Sequence, residues 1–290
     1  TEAPAAGSQG APPAESGTPG KAGPPSGPGT PGAPGATPKT GSGKPTSTPA
    51  PLYRIVGCRS RGSIAYRSGP YAHEVALSFD DGPAADTPAF VSMLERARAR
   101  ATFFMIGQQV SSGYRSLLLR ELRDGDALGD HTYSHPDLTR TGGVREQLLH
   151  TLGVIRAVSG YAPCVFRPPY GAVDSSVVQT ARSLGLATVL WNVDPTDWAL
   201  PGTGAIVQRV LGQVQRGSII LSHDGGGPRG ETLAAYPQII SALRSRGYRF
   251  VTVPELLGFH SVYRACIKLC AGIGIPRSRV PRGSIIERAP

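Results

Sequence analysis

The chain has 290 residues, 39% of them hydrophobic, with a formal charge of +10, enough for one large core or two small ones. No run reaches the roughly 18 apolar residues of a membrane span, and residues 71–258 balance 17 Arg or Lys against 17 Asp or Glu. The excess charge therefore sits in the flanks, without the patterned basic helix or interleaved aromatics of a nucleic-acid partner.

Residues 1–50 are almost entirely Pro, Gly, Ala, Ser and Thr. With no apolar periodicity they cannot offset the entropy of ordering, so a disordered, partly extended linker is expected. A Pro/Thr-rich stalk ahead of a globular domain suits a secreted protein, and the absence of an initial Met reads as a mature or truncated product. Residues 51–70 add Arg54, Arg59, Arg61 and Arg67 without an anion, and residues 259–290 carry six cations against Glu287. These flanks are either solvated ends or a means of attraction to an anionic surface such as a cell wall. Cys58, Cys164, Cys266 and Cys270 form no CxxC, which argues against structural zinc. Their even number favours disulfides, with three pairings open. The close pair Cys266 and Cys270 has the spacing to staple a short tail.

From residue 73 onward, β-branched runs alternate with stretches of helical period, the mark of βα units. Seven strands are predicted: EVALSF, ATFFMI, DALGDH, PCVFRP, TVLWNV, SIILSH and YRFVTV. Helices are predicted between them, with Phe90, Met93, Leu94 and Ala97 on one face of the first and Val144, Leu148, Leu152 and Ile155 on one face of another. Gly185, Gly217 and Gly247 are the expected helix stops. A parallel α/β architecture follows, either a closed barrel or an open doubly wound sheet. Both gather the carboxyl ends of the strands on one face.

That face is where the polar clusters fall. FDDGP follows the first strand, HTYSH the third, RPPYG the fourth and DPTDW the fifth, while LSH ends the sixth. His131 and His135 are four apart, a spacing that sets two imidazoles on one side of a helical turn. With Asp81 they would make a three-ligand metal site open to water. Asp80 would then stay ionised beside the cation and take a proton from the attacking water. His223 is of the right type for a general acid, Asp197 for its orienting carboxylate, and Arg167 for a cation holding Asp80.

SFDDGP, HTYSH, RPPYG, DPTDW and LSH, in this order and over about residues 71–258, resemble the five motifs of the polysaccharide deacetylase family, carbohydrate esterase family four. The resemblance implies a distorted, incomplete (β/α) barrel of about seven parallel strands that hydrolyses acetyl groups from sugars. It makes Asp80 the base, His223 the acid, and Asp81, His131 and His135 the metal ligands. Arg167 is then the arginine that tunes the base and Asp197 the carboxylate that tunes the acid. Tyr170 supplies a backbone N–H to the oxyanion, and Trp198 and Leu221 line the slot for the acetyl methyl. Ser78 stands where many relatives carry Thr, and both keep a hydroxyl.

Three rivals are weaker. GGGPRG at residues 225–230 matches GxGxxG, but Pro228 stiffens it, His223 and Asp224 intervene and Glu255, the acid beyond the following helix, comes late for a dinucleotide site, so a turn or lid is the better reading. There is no GxSxG elbow for a serine hydrolase. A non-catalytic carbohydrate-binding module would be expected to lack a ligand, base or acid, and all are present.

The expectation is therefore a linker over 1–50, a catalytic domain over 51–258 and a basic extension over 259–290. The chain is expected to be a secreted, cell-wall-associated monomer with a divalent metal, Zn2+ ahead of Co2+, Ni2+ or Mn2+. The stalk and basic flanks point to peptidoglycan N-acetylglucosamine as substrate, with chitin oligomers and O-acetylated xylan as alternatives.

Overall fold

The computed structural model describes residues 52–60, 73–266 and 285–287. The predicted linker, Arg61, Arg67, Cys270 and most of the basic extension lie outside the described residues.

The centre of the fold is β2, Glu74–Gly82, buried along nearly its whole length. A strand covered on both faces reads as a near-continuous apolar run, as EVALSF does. β3 (Ala101–Met105) and β7 (Ser218–Ile220) flank β2, and β8 (Arg249–Phe250) pairs with its start. β4 (Ala127–Asp130), β5 (Val165–Phe166) and β6 (Ala187–Thr188) extend the sheet beyond β3. The order is β6-β5-β4-β3-β2-β7, every pairing is parallel, and the strands number seven. The sheet curls until the segment after β6 meets β7 through the single bridge Val193–Ile220. This is the distorted, incomplete barrel expected.

The crossovers are α1 (Thr87–Ala97), α2 (Arg115–Asp124), α4 (Val144–Ser159), α5 (Ser175–Ser183), α6 (Thr203–Gln213) and α7 (Gly230–Ser245), with a short α3 (Leu138–Thr141) before α4. Phe79 of β2 sits in an aromatic cluster with Phe90 of α1, Phe103 of β3 and Tyr236 of α7, at centroid distances of 5.1, 5.5 and 4.7 Å. Each buried ring of this kind contributes about 1.5–3 kcal/mol by leaving water. Two expected features differ. α6 ends at Gln213, where Val214 turns extended, and Gly217 instead makes the turn into β7. YRFVTV pairs over only two residues, because Thr252 and Glu255 form a reciprocal cap that starts α8, Val253–Leu256.

A second sheet joins the chain flanks to the barrel. β1 (Tyr53–Arg59) runs antiparallel to β9 (His260–Ala265), and β10 (Ile285–Glu287) runs parallel to β9. The segments predicted only as a lead-in and an extension thus pair with each other. Cys58 of β1 is bonded to Cys164, just ahead of β5, across a separation of 106 residues. Closing a loop of that length removes about 5 kcal/mol of unfolded-chain entropy. The approach needs a glycine beside it, since a Cβ on Gly57 would lie 2.6 Å from the Ala162 carbonyl oxygen. Cys266 is also disulfide-bonded, with its partner outside the described residues. Among the described residues no helix is long and apolar enough to cross a membrane.

Candidate active site

Consecutive side chains of a regular strand point to opposite faces, so Asp80 and Asp81 need a local device to act together. The β2–β3 register shifts between Asp80 and Gly82, and Asp81 takes the left-handed backbone, φ 72°. Such a bulge re-aims a side chain. Both carboxylates accordingly face one imidazole: His131 Nε2 lies 3.7 Å from Asp80 Oδ2 and 3.5 Å from Asp81 Oδ1.

His131 follows β4 directly. The HxxxH segment is a loop and not the helical turn expected from its spacing, because Thr132 and His135 both have left-handed backbones, φ 66° and 61°. Thr132 Oγ1 accepts the His135 N–H at 3.0 Å. Gln147 of α4 closes the loop, its Oε1 accepting the N–H groups of Tyr133 and Ser134 at 2.8 and 2.9 Å. His135 Nε2 then stands 3.2 Å from Asp81 Oδ1.

The hydrogen bonds set the tautomers. A carbonyl only accepts, so the 2.7 Å contact of His131 Nδ1 with the Arg167 carbonyl puts the proton on Nδ1. The Tyr170 hydroxyl donates to the His135 carbonyl at 3.4 Å, so its oxygen accepts from His135 Nδ1 at 3.1 Å. Both Nε2 lone pairs therefore converge on a carboxylate. Asp81 Oδ1 is buried and makes no hydrogen bond, and the three ligand atoms lie within 4.8 Å of one another. Two lone pairs and an anion without a proton between them repel, and the arrangement fits a divalent cation. Burial acts to raise the Asp81 carboxyl, but the His131 contact and the charges that His131, His223 and His135 carry when protonated outweigh it and hold it at about 2. Burial and then His131 push the His135 imidazole below its ordinary value, which favours the neutral form that binds metal.

Arg167, fully buried, donates from Nη1 to Asp80 Oδ1 at 2.7 Å and to Ser78 Oγ at 2.9 Å. Its guanidinium carbon lies 4.1 Å from the Phe104 ring centroid. On the opposite side Asp80 is the bridge partner of His223. His223 Nδ1 donates to Asp197 Oδ1 at 2.8 Å, and Asp197 Oδ2 accepts from the His223 N–H and from Thr232 Oγ1, both at 2.9 Å. Burial acts to lower the His223 pKa, but the hydrogen bond and charge of Asp197 outweigh it and raise it. Leu221, two residues before His223, is buried, while Trp198 beside Asp197 is 57% exposed and Tyr170 is 71% exposed at φ 60°.

A family model for polysaccharide deacetylase matches residues 68–189. The chain is 39% identical over 203 residues to a chitooligosaccharide deacetylase of Sinorhizobium fredii, covering 65% of this chain and 94% of the relative. The chain belongs to the polysaccharide deacetylase family. It is also 38% identical over 187 residues to the peptidoglycan-N-acetylglucosamine deacetylase PgdA of Listeria monocytogenes; the match takes in 63% of this chain and spans 39% of that longer relative. Its fold matches the crystal structure of a peptidoglycan N-acetylglucosamine deacetylase with a TM-score of 0.63 and 34% identity, over 66% of this chain and 91% of the other.

In this family member every residue singled out from the motifs lies on the mouth at the carboxyl ends of the strands or beside it. Two contributors have no place in the motif reading, and a third, Ser78, is noted there only for keeping a hydroxyl. Ser78, two residues before Asp80 and hence on the same strand face, carries a period-two signal that would have found its bond to Arg167. The Tyr170 side chain and Gln147 hold the histidine loop from remote segments and leave no local signal. His131→Ala is expected to weaken metal binding by more than the 10–100-fold typical of losing a ligand's outer partner, with the apo fold retained. Metal titration and thermal unfolding check this; unfolding of the parent on chelation would instead mark a structural metal.

Proposed function

We propose that this chain is a metal-dependent hydrolase that removes N-acetyl groups from N-acetylglucosamine residues of a polysaccharide, peptidoglycan first. The observation that carries it is the Asp81–His131–His135 ligand triangle with Asp80 beside His131 and His223 bridged to Asp80. Zinc suits two neutral imidazoles and one carboxylate; Co2+, Ni2+ and Mn2+ fit the same donors. A divalent cation there supplies a Lewis acid that polarises the acetyl carbonyl and acidifies water.

Asp80, held by the Arg167 guanidinium, removes the proton of the attacking water. The Tyr170 N–H donates to the carbonyl oxygen as charge gathers on it. His223, oriented by Asp197, delivers its Nε2 proton to the departing amine, without which an amide nitrogen leaves poorly. Trp198 and Leu221 flank the acetyl methyl. Secretion, a monomeric state and association with an anionic wall through the basic flanks belong to the same reading.

The test is acetate release from peptidoglycan, chitin oligomers and O-acetylated xylan. Release from N-acetylated polymers is expected; release from xylan alone overturns the amide assignment. Preference for chitin oligomers would move the substrate toward that of the Sinorhizobium relative.

The acid has its own pH signature. His223 must be protonated to act, so activity is lost as pH rises through its raised pKa. Asp197→Asn removes the charge that raises it. The alkaline limb of the kcat profile is expected to move to lower pH, and kcat to fall by roughly 10²–10⁴-fold. An unmoved limb would refute the pairing. The same pair contributes stability that is fully present below the ordinary histidine pKa and lost as pH climbs through the folded value.

A further inference from the structure

The GGGPRG turn at residues 225–230 has no part in the chemistry above, yet it is built against Asp81. A Cβ on Gly225 would lie 2.0 Å from the Asp81 carbonyl oxygen, and one on Gly226 would lie 2.4 Å from Asp81 Oδ2. Neither position admits a side chain, and Gly226 has φ +70°. The turn is itself gripped from one side. Arg229, 4% exposed, donates from Nε to the Gly225 carbonyl at 2.6 Å and from Nη2 to the Gly226 carbonyl at 2.9 Å. Its own backbone N–H donates to Asp86 Oδ2 at 2.9 Å, tying the turn to the loop that follows β2. A guanidinium spanning two successive carbonyls fixes their planes as a single ammonium point charge does not.

The two carboxylate oxygens of Asp81 thus meet different surroundings. Oδ2 lies against the glycine wall, while Oδ1 faces His131 Nε2 and His135 Nε2. We infer that the Gly225–Gly226 turn, held by the Arg229 guanidinium, is a positioning device that presents Oδ1 of Asp81 to the divalent cation and keeps its carboxylate from rotating away. This rests on the proposed reading of Asp81 as a metal ligand. Two glycines of the run then have a cause unrelated to nucleotides: an added Cβ on Gly225 would strike the Asp81 backbone, and one on Gly226 its carboxylate.

The experiment uses the full chain, stripped with a chelator and titrated with Co2+, read by its ligand-field absorption, and with Zn2+ against a chromophoric competitor. Gly226→Ala places a methyl on Oδ2 and is expected to weaken both metals roughly 10–100-fold, as loss of a ligand's outer support does, with a changed Co2+ spectrum. Arg229→Lys keeps the charge but loses the two-point grip and is expected to weaken binding about 10-fold. Gly230→Ala is the control, because nothing lies within 4 Å of an added Cβ there, and parent affinity is expected. Thermal unfolding of each apo protein separates this from general damage; if Gly226→Ala fails to fold, Arg229→Lys carries the result. Parent affinity and spectrum in both Gly226→Ala and Arg229→Lys overturn the inference alone. A parent chain that binds neither metal overturns the ligand reading and this inference with it.

Discussion

Asp80→Asn is expected to keep its metal and to lose roughly 10²–10⁴-fold in acetate release, the range for removing a general base. His131 Nε2 stands at similar distances from Asp80 and Asp81, so proximity alone does not assign their roles; their other partners do. Asp80 Oδ1 takes the Arg167 guanidinium, whereas Asp81 Oδ1 makes no hydrogen bond. An asparagine at 80 still accepts from Arg167 but has no carboxylate to receive a proton. Elemental analysis beside the acetate assay checks both halves. Turnover near that of the parent would remove Asp80 as base, and metal lost together with activity would make it a ligand.

Much of this site is legible in the sequence because the strands keep phase with the polar clusters. ATFFMI, DALGDH and SIILSH each contain an observed strand, EVALSF opens one that runs on through Asp80 and Asp81 to Gly82, and the reactive residues cluster at one end. What escapes is set by partners distant in sequence. TVLWNV overlaps β6 only at Thr188, which pairs with Phe166 of β5, since the ladder ends where its neighbour turns away. YRIVGCR and HSVYRA form strands across some two hundred residues, and neither has a local signal for the other. The bulge that brings Asp80 and Asp81 to one mouth is equally silent, because DDG reads as turn chemistry whether or not a strand continues through it.

Arg167→Ala is expected to lower stability by about 3–5 kcal/mol, the cost of breaking a buried ion pair from one side. The guanidinium is wholly buried, and its removal leaves the Asp80 carboxylate unpaired and a void over the Phe104 ring. Denaturant unfolding of the apo protein measures the loss. Adding Asp80→Asn and filling position 167 with Met removes both charges together, and most of the stability is expected to return while activity does not. A loss below about 1 kcal/mol for Arg167→Ala would show that Asp80 does not depend on this partner.

The lone Val193–Ile220 bridge divides the mouth into unlike halves. Asp80, Asp81, His131 and Arg167 extend from the laddered run β2-β3-β4-β5, where a shift in one residue drags its neighbours. Asp197 and Trp198 hang from the stretch beyond β6, where backbone pairing is sparse. Loops of that kind absorb insertions at small entropic cost. Natural drift or laboratory evolution can therefore vary the sparse rim around Trp198 with little disturbance of the woven half, provided that Asp197 keeps its bonds to His223.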